Sequence, residues 1–199
     1  MNLRPDHSVI ADIIPQNATV LDIGCGDGEM LDLLSAKGVK ARGLEIDQIK
    51  VSNCLKRGLS VLQGDVDVDL AYYPDSAFDY AILTQVLQVT KYPDMTLNEV
   101  LRVAKHAIVC IPNFGYWENR IQLLFNGRMP VTKKLSYQWY ETPNIHFCTI
   151  RDFVILCENL NLKIEKKLAI KPNGGVISFN KSSAIANLRG ELGVFLISK

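Results

Sequence analysis

Asp22-Ile23-Gly24-Cys25-Gly26-Asp27-Gly28 sets three glycines at every second position, accompanied by two acids, at the end of the apolar run Thr19 to Ile23. Glycines lack Cβ, so a backbone built on them can pass close to a ligand. A dinucleotide site uses Gly-x-Gly-x-x-Gly and seats its pyrophosphate on a helix N-terminus. Here the third glycine comes one position early. Carboxylates at Asp22 and Asp27 would repel a pyrophosphate, yet they suit a ligand that carries an ammonium and a sulfonium. The chemistry indicated is recognition of a cationic nucleoside, S-adenosylmethionine (SAM) or its product S-adenosylhomocysteine, rather than NAD.

Two more acids fall at the ends of the next apolar runs, Glu45 after Ala41 to Leu44 and Asp65 after Ser60 to Gly64. In an open α/β sheet the carboxyl ends of the strands line the ligand crevice. Glu45 is therefore expected to accept from the ribose hydroxyls and Asp65 from the adenine amine, with Ile46 and Val66, the residues that follow them, in the same pocket. The plain alternative makes each acid a solvated turn or helix-cap residue.

These residues need a scaffold of alternating strands and helices, and residues 19 to 111 have that texture. Strands are expected at Thr19 to Ile23, Ala41 to Glu45, Ser60 to Gln63, Tyr80 to Thr84 and Ala107 to Ile111. Glu29 to Lys37 puts Met30, Leu33, Leu34 and Lys37 on one helical face, and Met95 to Ala104 does the same with Leu97, Val100, Leu101 and Ala104. Apolar strands linked by helices imply a Rossmann-like, mostly parallel, doubly wound sheet flanked by helices. Further on, a helix near Thr149 to Asn159 has Thr149 as cap, and Leu162 to Ile170, Val176 to Phe179 and Val194 to Ile197 read as closing strands.

Between Pro112 and Cys148 the pattern breaks into an insert holding both tryptophans and eight of the sixteen aromatics. Pro130, Pro143, Gly115 and Gly127 interrupt regular structure there. The insert is expected to cap the carboxyl edge of the sheet, a second patch of core being the alternative. His146 is its one histidine, a candidate general base or a hydrogen-bonded loop residue. Arg120, Arg128, Lys133, Lys134 and Arg151 give the region local positive charge.

The wider composition excludes several classes. At 199 residues the chain fits a single domain, which would bury roughly 70% of its unfolded surface without needing a metal or disulfide. The net charge of +1 gives no global field for nucleic acid or an anionic membrane. None of Cys25, Cys54, Cys110, Cys148 and Cys157 pairs as Cys-x-x-Cys, so no metal site is expected and core packing is favoured. Charged residues in the N-terminal stretch argue against a signal peptide or membrane span, and a cytoplasmic location is expected.

The glycine loop and strand-end acids resemble the class I SAM-dependent methyltransferases over Thr19 to Ile111. That resemblance implies that Thr84 and Gln85, ending the fourth strand, lie near the methionine half of the cofactor. Methyltransferases acting on nucleobase amines often carry Asn/Asp-Pro-Pro-aromatic at this place; here the run is Thr84-Gln85-Val86-Leu87-Gln88, so that substrate class loses support. Pro112-Asn113-Phe114-Gly115, Gly127-Arg128-Met129-Pro130-Val131-Thr132, Tyr137-Gln138-Trp139-Tyr140 and Thr142-Pro143-Asn144-Ile145-His146 look like the methionine-biosynthesis protein W (MetW) family, the resemblance running from Arg4 to Leu168. It implies a protein that works with, or regulates, a homoserine O-acyltransferase. Trp117, Arg128, Lys133, Trp139 and Tyr140 are then expected to meet the partner or substrate. The alternative is an independent SAM-dependent methyltransferase acting on a small molecule.

Overall fold

The computed structural model describes residues 4–132, 135–180 and 183–199. Its elements run α1 Pro5–Ile13, β1 Thr19–Ile23, α2 Glu29–Ala36, β2 Lys40–Glu45, α3 Gln48–Lys56, β3 Val61–Gln63, α4 Val66–Asp69, β4 Phe78–Thr84, α5 Pro93–Val103, β5 Ala104–Pro112, α6 Trp117–Asn126, α7 Ile150–Asn159, β6 Lys163–Ile170, β7 Val176–Ser178, α8 Ala184–Arg189 and β8 Leu192–Ser198. Every strand expected from the sequence is present. Their ends extend by up to three residues, as in β5, because a ladder continues past the apolar run that marks it.

One eight-stranded sheet has the order β3-β2-β1-β4-β5-β8-β6-β7. The first five strands pair in parallel, whereas β8 runs antiparallel to β5 and β6, and β7 antiparallel to β6. The sheet is thus mixed rather than wholly doubly wound. The cause is the connection: after β5, the chain reaches β8 only from the far end of the sheet, through α8, and enters the gap beside β5 in the opposite direction.

Strand alternation divides the core between two faces. Leu21, Ile23, Leu83 and Val109 point to the face covered by α5 and α7 through Leu97, Val100, Ile150 and Phe153. Val20, Ile82, Ile108 and Cys110 point to the face covered by α1 and α2 through Ile10, Ile14, Met30 and Leu34. Lys37, expected on the apolar face of α2, instead caps its end, and its Nζ donates to the carbonyls of Ala11 and Ile14 at 2.5 Å each, tying α2 to the end of α1. Thr149 begins α7 in a reciprocal capping box with Asp152.

Asn113 fastens the end of β5. It is 2% exposed; its Nδ2 donates to the carbonyls of Asn187 (2.8 Å) and Gly190 (2.7 Å), while its Oδ1 accepts from the N–H of Gly115 (3.0 Å) and Ile150 (3.2 Å). One amide thereby joins β5, α7 and the approach to β8. Asn113→Ala should leave several buried backbone groups without partners, each costing about 1–3 kcal/mol. We expect a loss of about 3 kcal/mol or more, or a fall in Tm of roughly 6–12 °C for a chain of this length. A change below about 1 kcal/mol in denaturant melts would show that those groups find other partners.

Candidate functional site

The glycine loop lies where β1 ends between β2 and β4. Strand β1 pairs Asp22 with Gly43 and Ile23 with Leu44, and the Leu44 carbonyl accepts from the N–H of Gly24 at 2.7 Å, so the loop turns across the end of β2. Gly24 and Gly28 have φ of 69° and 81°. A side chain at Gly24 would overlap Val86, and one at Gly28 would crowd Leu59 and Cys54. These two glycines therefore serve backbone conformation and packing, while Gly26, with φ of 58°, serves conformation alone and faces open space.

Two adjoining cavities open on this loop. The smaller, of about 210 Å³, is lined by Asp22, Gly24, Cys25, Gly26, Asp27 and Thr84, together with Arg4, His7, Glu29 and Met30. The larger, of about 560 Å³, is lined by Gly24, Glu45, Ile46, Asp65, Val66, Thr84 and Gln85, with Asp67, Val89, Lys91, Pro143 and Ile145 among the others. Gly24 and Thr84 border both. Of the residues expected to bind a cofactor, only Gly28 lines neither cavity, because it is turned into the packing between α2 and α3.

The acids differ sharply in their surroundings. Both Glu45 oxygens hold backbone amides: Oε2 accepts from Gly26 N (2.8 Å) and Oε1 from Asp47 N (3.0 Å). A carboxylate oxygen can accept more than one hydrogen bond, so this anchoring leaves room for a ligand hydroxyl. Asp65 does what the plain alternative expected and caps α4, accepting from Asp67 N at 2.9 Å. Asp27 is exposed; its Oδ1 accepts weakly from Asn53 at 3.4 Å, and its carbonyl accepts from Arg57.

Asp22 is the exception. It is 2% exposed, and its Oδ2 has no hydrogen-bond partner among the described residues; the buried Thr84 hydroxyl is in the same condition. Burial, reinforced by the nearby Glu45 carboxylate, pushes the Asp22 carboxyl up to about 7. Both orphaned groups border the smaller cavity. A buried polar group left without a partner costs free energy, so these two favour a polar, cationic ligand end. Cys25, beside them, is no nucleophile, since burial and then Asp22 drive its thiol well above the usual range.

The residues assigned to a partner lie elsewhere. Trp117, Trp139 and Tyr140 are 45%, 70% and 67% exposed, and Arg128 is exposed as well. Lys133 and Lys134 lie outside the described residues. The stretch after β5 contains a helix, α6, that sequence texture did not reveal, and α6 exposes Ile121, Leu124 and Phe125. Residues 143–146 reach the sheet's carboxyl edge, where the Gln88 carbonyl accepts from the N–H of Ile145 and His146 at 3.0 Å each. His146 lines neither cavity; its Nε2 sits 3.4 Å from the Lys91 carbonyl. Sequence reasoning missed Arg4, His7 and Lys91. Pro5 at a helix start, followed by Ile10 and Ile14, was the signal that could have found α1 and with it the first two.

Among solved structures, the fold matches a SAM-dependent methyltransferase from Thermotoga maritima described as a possible histamine N-methyltransferase, at 18% identity and a TM-score of 0.72, over 98% of this chain and 88% of that one. A SAM-dependent methyltransferase from Mesorhizobium loti matches at 14% identity and a TM-score of 0.71, over 98% of each chain. Such identities establish the class I methyltransferase fold. In sequence, the bifunctional methionine biosynthesis protein MetXA/MetW of Rhodopirellula baltica is 33% identical over 178 residues, covering 84% of this chain but 29% of that protein. The family model for methionine biosynthesis protein MetW matches residues 4–197, so the likeness continues through β6, β7 and β8, beyond the Leu168 limit drawn from motifs. A match over nearly the whole chain places it in the MetW family of methionine biosynthesis proteins.

Proposed function

We propose that the chain binds SAM or S-adenosylhomocysteine across the two cavities and acts with a homoserine O-acyltransferase, as its required partner or its SAM-sensing regulator. When bound, SAM supplies an electrophilic methyl and a sulfonium charge. Asp22 and Thr84 would receive its amino-acid end, Glu45 and Ile46 its ribose, and Asp65 and Val66 its adenine.

The observation that carries the partner role is the exposure of the aromatic residues within 117–132 and 135–147. An enzyme for a small acceptor would fold aromatics over the sulfonium to enclose a cavity. Here, among the described residues of that stretch, Pro143 and Ile145 alone line the larger cavity, none borders the smaller one, and Trp117, Phe125, Tyr137, Trp139, Tyr140 and Phe147 are all more than two-fifths exposed. Exposed aromatic groups beside aliphatic ones are the composition of an interface core. The relative from Rhodopirellula baltica, whose name joins MetXA to MetW, is in keeping with a neighbour of that kind.

Purifying the chain with and without the acyltransferase and assaying acyl and methyl transfer in parallel tests the reading. Acyl transfer that depends on this chain supports it, and methyl transfer to a small molecule by the chain alone favours the independent enzyme. Trp117→Ala or Trp139→Ala should cost about 2 kcal/mol or more of partner affinity, roughly thirtyfold, with Tm and SAM affinity nearly unchanged. Intact partner binding by both folded variants would refute the docking role.

SAM should raise the Tm, and the size of the shift should depend on pH through Asp22. A cationic ligand favours the ionised carboxylate, so affinity should climb as pH rises from about 5.5 to about 7.5. Asp22→Asn should flatten that climb and weaken binding at its upper end. Without ligand the sign reverses. A carboxyl raised above its unfolded value of 3.8 is an increasing burden as pH rises from about 4 to about 7, so the unliganded Asn variant should gain Tm on the wild type across that window. Parallel calorimetric titrations and melts read both, and identical pH profiles in the two proteins would remove Asp22 from the site.

A further inference from the structure

The smaller cavity is lined by groups of both charges. Its lining includes the orphaned Asp22 carboxyl and the Thr84 hydroxyl, the acids Asp27 and Glu29, and, from the start of α1, Arg4 and His7. We infer that Arg4, assisted by His7, is the carboxylate subsite of this cavity, so that the amino-acid end of an adenosyl ligand is held as a zwitterion, its ammonium on Asp22 and its carboxylate on α1. This rests on the SAM reading above and names the part of that ligand α1 selects.

The geometry of Arg4 supports the assignment. Asp6, 0% exposed, takes one edge of the guanidinium, accepting from Nε at 3.2 Å and Nη2 at 2.6 Å. Burial alone would raise the Asp6 carboxyl, but the hydrogen bonds and charge of Arg4 outweigh it and hold Asp6 below its ordinary value. The same Asp6 oxygen accepts from Gln85 Nε2 at 3.4 Å. Gln85 follows β4 with φ of 58°, so the anchor reaches from α1 to the loop that ends beside both cavities. A guanidinium has five N–H donors in a planar fork, and clamping one edge leaves Nη1 oriented for a second carboxylate. His7 is 7% exposed, with Nδ1 3.7 Å from Glu29, close enough to be oriented and too far for a strong bond. A carboxylate here would meet two preorganised donors.

The competing role for Arg4 is structural, as counter-ion to the buried Asp6. The two roles separate with a ligand pair, SAM and decarboxylated SAM, which share adenosine, sulfonium and amine and differ in the carboxylate. Wild-type protein should bind SAM at least about tenfold more tightly, as expected for charge-assisted hydrogen bonds made to that group alone. Removing Arg4 by itself would strand a buried charge, so the variant of choice is the Arg4→Gln, Asp6→Asn pair, which removes both charges together. It should bring the ratio of the two affinities close to one while affinity for decarboxylated SAM stays within about threefold. His7→Asn should reduce the ratio by a smaller factor. Equal binding of the two ligands by wild type, a comparison that needs no variant, overturns the subsite, and so does a folded double variant that keeps the wild-type ratio. Wild-type protein that binds neither ligand nor S-adenosylhomocysteine instead defeats the cofactor reading itself.

Discussion

Two carboxyl groups at neighbouring strand ends, Asp22 and Glu45, set the constraint around which the site is organised. Like charges brought together in a poorly solvated place cannot both stay ionised without compensation. Glu45 is compensated by the chain: its oxygens hold the N–H groups of Gly26 and Asp47, and so fix the glycine loop against the start of α3. Asp22 receives nothing comparable among the described residues, and burial raises its carboxyl to about 7. The asymmetry makes Glu45 a structural anchor even without ligand, and leaves Asp22 the group that a bound cation would complete in the proposed reading. A buried carboxyl without a partner costs stability in the free protein, and under the proposed function that cost would be recovered on binding a cationic ligand.

Most of the scaffold was legible because its physics is local. Parallel strands buried on both faces read as near-continuous apolar runs, and β4 and β5 lie where such runs stand, whereas β2 carries the exposed Lys40 and Arg42. What sequence could not show is where polarity and position disagree. Helix α1 buries Asp6 and His7 along with Ile10 and Ala11, so charges that mark an outer face in an ordinary amphipathic helix here face inward. Helix α6 fails in the opposite sense. Asn119 is its only fully buried residue, while Leu123, Leu124 and Phe125 lie outside, so its apolar periodicity does not mark a core-facing stripe. The antiparallel entry of β8 depends on the route of the chain after α8, which no local pattern encodes.

The site was legible in membership and less so in roles. Acids at strand ends do gather at the loop, since open α/β sheets bring those ends together. Assigning each a ligand atom from sequence alone overlooked the demand that backbone amides make on carboxylates. Asp65 spends one oxygen on α4, Asp47 caps α3 unforeseen, and Glu45 is shared between loop and helix. Formal charge also misled in detail: Asp22 was counted as a full negative charge, yet burial raises its carboxyl to about 7.

The arrangement also sets the terms on which a SAM-sensing role could operate. A ligand-dependent effect on a partner requires that the two bias one common element, and the effect must then be reciprocal. Residues 143–146 meet the first condition. Ile145 and Pro143 line the larger cavity, the N–H groups of Ile145 and His146 are held by Gln88 at the end of the β4 loop, and Trp139 and Tyr140 lie a few residues upstream on the open face. Gln88 in turn donates through Nε2 to the carbonyl of Gln85, whose own side chain reaches Asp6. The loop after β4 thus touches the cavity, the start of α1 and the segment bearing the exposed aromatics. A sensor built this way needs no long-range pathway, because ligand and partner would press on opposite sides of one short, hydrogen-bonded stretch of chain.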